Sequence, residues 1–232
     1  MALASRPHST AAARRVGIVA ALPVEARALG PARARPDGLS TLVDDTLVAA
    51  GADALVSFGL AGGLDPALAP GAILVPREVI ADDGAALPTD AAWCAQVAQA
   101  LAPHRPILYG RLLTSPRALG SVSEKADAFR RTGASAVDME SSGVARVAEA
   151  HRLPFVVLRV IVDGASDVLP PALALIADSG GPLRWGRLIG HLALAPHDVL
   201  ALVRLAGRYG TARRALRAAA GSGALSAPPR TP

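Results

Sequence analysis

Phe155-Val-Val-Leu-Arg-Val-Ile-Val-Asp163 is the stretch on which the reading of the fold turns. Strand side chains alternate between the two faces of a sheet, so a run that stays apolar at successive positions is buried on both faces. Residues 155–162 therefore predict a central strand covered by helices above and below. Further β-branched apolar runs predict strands at 16–20, 54–58, 72–79, 107–114 and 134–138. Helical patterns lie between them at 39–50, 90–101, 123–131 and 140–151, with a further helix opening at Pro23 and two or three helical pieces after Pro170. Strand and helix alternate, which predicts the α/β class: three layers, with a mixed, mostly parallel central sheet flanked by helices. No internal repeat is visible.

The 232 residues suit one domain with an appendage, and a chain of this size buries on the order of 70% of its unfolded surface without needing disulfides. Apolar residues are 51% of the chain and aromatic ones 3%, so the core is built from Val, Leu, Ile and many of the 51 alanines, and its elements should pack closely. The single cysteine, Cys94, allows neither an internal disulfide nor a Cys-based metal cluster. Residues 1–15 read as a disordered leader without the apolar centre of a secretory signal. Residues 16–182 form the catalytic body, 183–220 a basic helical extension of it, and 221–232 a disordered tail. No apolar run is long enough for a transmembrane helix, so the expected location is the cytoplasm.

The charge is unevenly placed. Of 24 basic residues 23 are arginine, with Lys125 the only lysine. From Arg184 onward the chain carries eight arginines and one acid, a net +7, while residues 1–183 carry −2. A basic total confined to one end, with few aromatics for base stacking, argues against nucleic acid as a partner.

Ligands of such sheets bind beyond the carboxyl ends of the strands. Four places put polar groups there. Glu25 follows the strand VGIVAA and opens a helix, where the helix dipole alone would favour an acid. Gly59-Leu-Ala-Gly-Gly63 follows ALVSF; it reads either as backbone open to a ligand or as a tight turn. Asp138-Met139-Glu140 stands where a strand passes into a helix; Asp138 also suits a cap and Met139 a core position. Asp163 ends the most apolar strand, where a carboxylate is costly unless paired or used. Phosphate-loop, nucleophile-elbow and zinc-helix spacings are absent, and none of the five histidines follows a central strand.

In this order, the four places resemble the nucleoside phosphorylase / 5′-methylthioadenosine–S-adenosylhomocysteine nucleosidase superfamily. The resemblance runs from about Val16 to Asp167 and rests on SFGLAGGLDPALAPGAILVP, AVDMES and FVVLRVIVDGASD. Within it, VDMESSGVARVAEAHRLPFVVLR and LPPALALIADSGGPLRWGRL look most like the hopanoid-associated phosphorylase branch, which releases adenine from adenosylhopane. The resemblance implies that Asp163 protonates or hydrogen-bonds purine N7, and that Glu140 binds the ribose hydroxyls and stabilises positive charge on the sugar. It implies that Glu25 orients a nucleophilic water and that Met139 packs on the ribose. Ala61 and Gly62 line the base pocket with backbone, Arg159 is a cation near the nucleophile, and Asp138 belongs to the substrate-binding set. No metal and no cofactor is implied; inorganic phosphate is a candidate co-substrate, and a homo-oligomer is expected.

Three departures from the family pattern stand out. Leu60 replaces a polar side chain near the nucleophile, and Val162 a small polar residue before the acid. Residues 30–42 (GPARARPDGLSTL) are short and lack the Gly-rich turn that normally follows a second strand. The expected activity is cleavage of the purine–ribose bond of an adenosine with a hydrophobic 5′ substituent, by phosphorolysis or hydrolysis. The alternatives are a methylthioadenosine/S-adenosylhomocysteine nucleosidase and a weakened, non-catalytic nucleoside-binding variant. In 183–217, split by Pro196, arginines alternate with Leu/Val clusters. Two readings stay open: helices packed on the body with solvated arginines, or peripheral contact with the anionic inner face of the cell membrane.

Overall fold

The computed structural model describes residues 15–30, 39–40, 43–102, 106–169 and 197–225. At its centre β3 (Ala54–Gly63) and β10 (Phe155–Asp163) run side by side and parallel, from Phe155 opposite Leu55 to Asp163 opposite Gly62. Their side chains divide as the apolar run predicts. Ala54, Val56, Phe58, Val156, Leu158 and Val160 enter one buried cluster; Leu55, Ala61, Phe155, Val157 and Ile161 enter another on the opposite face. Each Val, Leu, Ile or Phe side chain so removed from water contributes roughly 1.5–3 kcal/mol.

The rest of the sheet is mixed and mostly parallel. β1 (Val16–Val19) lies along the first half of β3 and carries β2 (Leu39–Ser40) on its outer side. The second half of β3 is met instead by β9 (Ala136–Asp138), which is antiparallel to it, with Val137 opposite Gly62. The stretch expected as one strand at 72–79 divides into β4 (Ile73–Leu74) beside β10 and β5 (Glu78–Ile80), which pairs with the short β6 (Ala86–Pro88). The stretch 107–114 divides likewise into β7 (Ile107–Leu108) and β8 (Arg111–Thr114), which pair with β4 and β5. β8 pairs with β9, so the path from β3 through β10 and β4, along the chain to β5, and on through β8 and β9 returns to β3.

Helices cover both faces. α1 (Pro23–Leu29), α3 (Ala91–Leu101) and α6 (His197–Gly221) bury Leu29, Trp93, Val97 and Leu216 against the first cluster. α2 (Thr46–Ala49) and α5 (Ser141–Ala150) bury Leu47, Val144 and Ala148 against the second. α4 (Val122–Thr132) is closed at its start by Ser121 and Glu124, which accept each other's backbone N–H, and at its end by Gly133 in the left-handed region, φ 63°. Both devices satisfy helix-end groups that would otherwise lack partners.

Three expectations are corrected. The helix expected at 39–50 is a strand at 39–40 and one helical turn at 46–49, because Leu39 and Ser40 pair with Ile18 and Val19. The second strand is thus present despite the shortened segment; residues 31–38 and 41–42 lie outside the described residues. Of the two readings of Gly59–Gly63 the tight turn is overturned: these residues are the end of β3. The disordered tail expected at 221–232 does not hold for its first residues, since Ala224 and Leu225 are buried in the first cluster; 226–232 lie outside the described residues, as does the 1–14 portion of the leader. In α6, Ala212, Ala215, Leu216, Ala219 and Ala220 are buried against the body while Arg213, Arg214 and Arg217 face solvent. Residues 170–196 lie outside the described residues. Among the described residues, no helix is long and apolar enough to cross a membrane.

Candidate active site

The site is built on the last five residues of β3. Gly59 pairs with Arg159 and Gly62 with Asp163, so the two polar positions of β10 stand beside glycines of its neighbour. The reason for glycine is plainest at Gly59. A Cβ there would lie 2.6 Å from Glu25 Cδ and closer still to Glu25 Oε1 and Arg159 Nη1, nearer than real Cβ atoms come to anything. The missing side chain is what lets an acid from α1 and a base from β10 meet over the strand.

Glu25 is held by backbone. Its Oε1 accepts the Leu60 N–H at 2.8 Å and its Oε2 the Leu22 N–H at 2.9 Å. It is buried, and so is Arg159. Arg159 donates through Nε to Asp138 Oδ2 (2.8 Å) and through Nη2 to Ser57 Oγ (2.8 Å) and Ser141 Oγ (3.1 Å), with a further 2.6 Å ion pair to Asp138. Glu140 Oε2 stands 3.7 Å from the same guanidinium. Burial works to discharge Arg159, but Asp138, Glu25 and Glu140 together hold it above its ordinary value, so it is a fixed cation. One cation thus faces three carboxylates.

Asp138 is turned into this network. It accepts from Thr114 Oγ1 at 2.9 Å and from the Ser141 N–H at 3.2 Å as well as from Arg159, so it both caps α5 and fixes the guanidinium. Glu140 is the freer acid: burial pushes its carboxyl up, Arg159 pulls it down, and Asp138 and Glu25 push it up again. Met139 is 48% exposed, which excludes a core position for it. Ala61 buries its methyl in the second cluster, so only its backbone is open to a ligand.

Asp163 stands three residues further along β3 than Arg159, about 10 Å at strand rise. Its Oδ1 lies 3.4 Å from where a Gly62 Cβ would be. Burial pushes this carboxyl above its ordinary range, against the attraction of a partner that sequence reasoning did not assign: Lys125 of α4, ion-paired to Oδ2. Asp167 completes the surroundings, accepting the Gly164 N–H at 2.8 Å and pairing with Arg208 of α6 at 2.6 Å. Lys125 was visible as the only lysine of the chain and Ser57 as the polar residue of an apolar strand; their partners lie 38 and 102 residues away in sequence. A separate cavity of about 290 Å³, lined among others by Leu87, Asp90, Ala148 and Phe155, opens at the amino end of β10, away from all these groups.

Residues 40–175 match the family model described as the phosphorylase superfamily. That match covers more than half of the chain. The chain belongs to the phosphorylase superfamily. Solved structures share its fold. Futalosine hydrolase of Helicobacter pylori is 20% identical, with a TM-score of 0.60 over 66% of this chain and 86% of that one. A mutant 5′-methylthioadenosine/S-adenosylhomocysteine nucleosidase of the same organism, with 5′-methylthioadenosine in its active site, is 19% identical, with a TM-score of 0.61 over 66% and 87%. The corresponding nucleosidase of Campylobacter jejuni is 18% identical, with a TM-score of 0.60 over the same shares. Among curated proteins, no relative matches.

Proposed function

We propose that this phosphorylase-superfamily chain cleaves the bond between adenine and ribose in a 5′-substituted adenosine, with water as the nucleophile. The observation that carries the reading is the two-part polar array on β3: a buried acid beside Gly62 and a carboxylate cluster about 10 Å away beside Gly59. Breaking the glycosidic bond leaves a sugar with positive character and a purine anion that needs a proton. Asp163, whose carboxyl burial favours in its protonated form, supplies that proton at N7. Glu140 binds the ribose hydroxyls and stabilises the sugar's positive charge, Met139 packs on the ring, and backbone of Ala61 and Gly62 lines the base. Glu25, fixed by two backbone N–H groups, orients the water.

Water is favoured over phosphate because Arg159 is already outnumbered. A phosphate approaching it would meet Glu25, Asp138 and Glu140, a surplus of negative charge in a buried place. The substituent is taken to be apolar, of the adenosylhopane type. Leu22, Met139 and Val168, which follow β1, β9 and β10 along the chain, are large exposed apolar residues. The other substrate reading, methylthioadenosine or S-adenosylhomocysteine, is supported by the solved structures named for those compounds. Incubation with adenosylhopane and with methylthioadenosine, each with and without phosphate, tests all of this by adenine release. The account expects release faster from adenosylhopane, unchanged by phosphate, and accompanied by a free sugar. A requirement for phosphate overturns the choice of nucleophile, and no adenine from either compound overturns the function.

A further inference from the structure

Lys125 takes no part in the chemistry above, yet it is fully buried and its partners converge on the acid. Its Nζ donates to Asp163 Oδ2, to the Gly164 carbonyl at 2.9 Å and to the Asp167 carbonyl at 2.9 Å. An ammonium has three N–H bonds, and three oxygens receive them. A guanidinium is planar and its donors form a flat fork, so it does not reproduce three donors converging from one nitrogen. That explains a lysine here in a chain whose other 23 basic residues are arginine. Asp167 Oδ2 holds the Gly164 N–H and Asp167 Oδ1 holds Arg208, so the turn is fastened from both α4 and α6.

We propose that Lys125 is the positioning residue of this site, anchoring Asp163 through Oδ2 so that Oδ1, the oxygen beside Gly62, is the one that meets the purine. The proposal rests on the reading of Asp163 as the purine acid. The charged groups facing Asp163 are Lys125 from α4, Asp167 from its own turn and Arg208 from α6. Lys125 opposes the upward push of burial on Asp163. Removing its charge therefore raises the pH at which Asp163 loses the proton it must donate, whereas moving the charge without removing it spoils the aim of Oδ1 alone.

Two variants and one spectroscopic signal test this. In Lys125→Met, kcat falls by about tenfold or more while KM moves less, and the basic limb of the kcat–pH profile shifts to higher pH. In Lys125→Arg, the basic limb stays where the wild type has it, but kcat is still reduced. Wild-type kcat with an unmoved limb in Lys125→Met, or wild-type behaviour of Lys125→Arg in both respects, overturns the proposal. Should Lys125→Met fail to fold, Lys125→Arg decides alone. Because the chain has one lysine, protein labelled with 15N at the lysine Nζ gives a single side-chain ammonium signal. That signal is expected to exchange slowly with water and to shift in Asp163→Asn whether or not any substrate turns over. An unshifted signal overturns the anchoring, whereas a shifted signal in Asp163→Asn beside a wild type that releases no adenine overturns the reading of function instead.

Discussion

Replacing Gly59 by alanine puts a methyl group where two side chains already stand. The added carbon would lie 2.6 Å from Glu25 Cδ, against the 3.0 Å below which real Cβ atoms are essentially never found, and it would also strike Glu25 Oε1 and Arg159 Nη1. Neither side chain has a free direction. Glu25 is tied to the Leu60 and Leu22 N–H groups, and Arg159 to Asp138, Ser57 and Ser141. Losing one charge-assisted bond to Glu25 costs roughly 1.5–3 kcal/mol, and forcing a methyl into a filled interior roughly 1–3 kcal/mol. A net loss of about 3 kcal/mol is expected. At a urea slope of about 2.5 kcal/mol per molar, the unfolding midpoint falls by about 1 M. On the proposed function Glu25 would no longer hold a water in line with the sugar, and turnover is expected to fall with it. Gly120→Ala is the control: nothing lies within 4 Å of a Cβ there, and its midpoint should stay within about 0.2 M of wild type, the range of a neutral surface change. A Gly59→Ala chain with an unmoved midpoint and full turnover would refute the claim that Glu25 and Arg159 are held against β3.

Further outcomes follow from the same contacts. Arg159→Met strands Asp138 as a buried, uncompensated charge and should cost roughly 3–5 kcal/mol in urea unfolding; a loss under about 1 kcal/mol would contradict the network. Glu140 has its carboxyl pushed up in the folded chain, so its contribution to stability is present below its unfolded value and lost as pH rises through the folded one. Glu140→Gln should therefore raise the melting temperature at pH 7 but not at about pH 4. With the ionised form doing the work proposed for it, the substitution should also remove the acidic limb of the rate profile; equal melting shifts at both pH values would count against this. Changing Arg213, Arg214 and Arg217 to Glu leaves the buried face of α6 intact and should abolish pelleting with anionic liposomes if the helix touches a membrane. Equal pelleting of variant and wild type removes that reading.

How much of this was legible beforehand depended on how local each signal was. β10 could be read directly, because burial on both faces leaves a run that is apolar except at Arg159 and needs no knowledge of its neighbours. α4 and α5 were bounded to within a residue or so by their helical patterns. The misreadings share a different cause. Gly59–Gly63 looks like a turn because glycine is usually chosen for backbone freedom; here it is chosen for the absence of a side chain, and the crowding groups come from residues 25 and 159. The stretches 72–79 and 107–114 read as single strands on their apolar content, although Pro76 and Gly110 stand where each changes partners across the sheet. Residues 39–40 carry too few positions to show a strand period, and only pairing with β1 makes them one. At the site, the acids were conspicuous because they end apolar strands. Lys125 was conspicuous too, but its role lies in a partner on another element.

Replacement of Asp163 by Asn is the most direct measurement of the central claim. Asparagine keeps the shape and can still hydrogen-bond to Lys125, but it carries no proton for purine N7. With adenosylhopane or methylthioadenosine as substrate, the account predicts a folded Asp163→Asn protein, with a circular dichroism spectrum like the wild type, that releases no measurable adenine where the wild type does. Adenine release by the variant at a rate close to the wild type would contradict it.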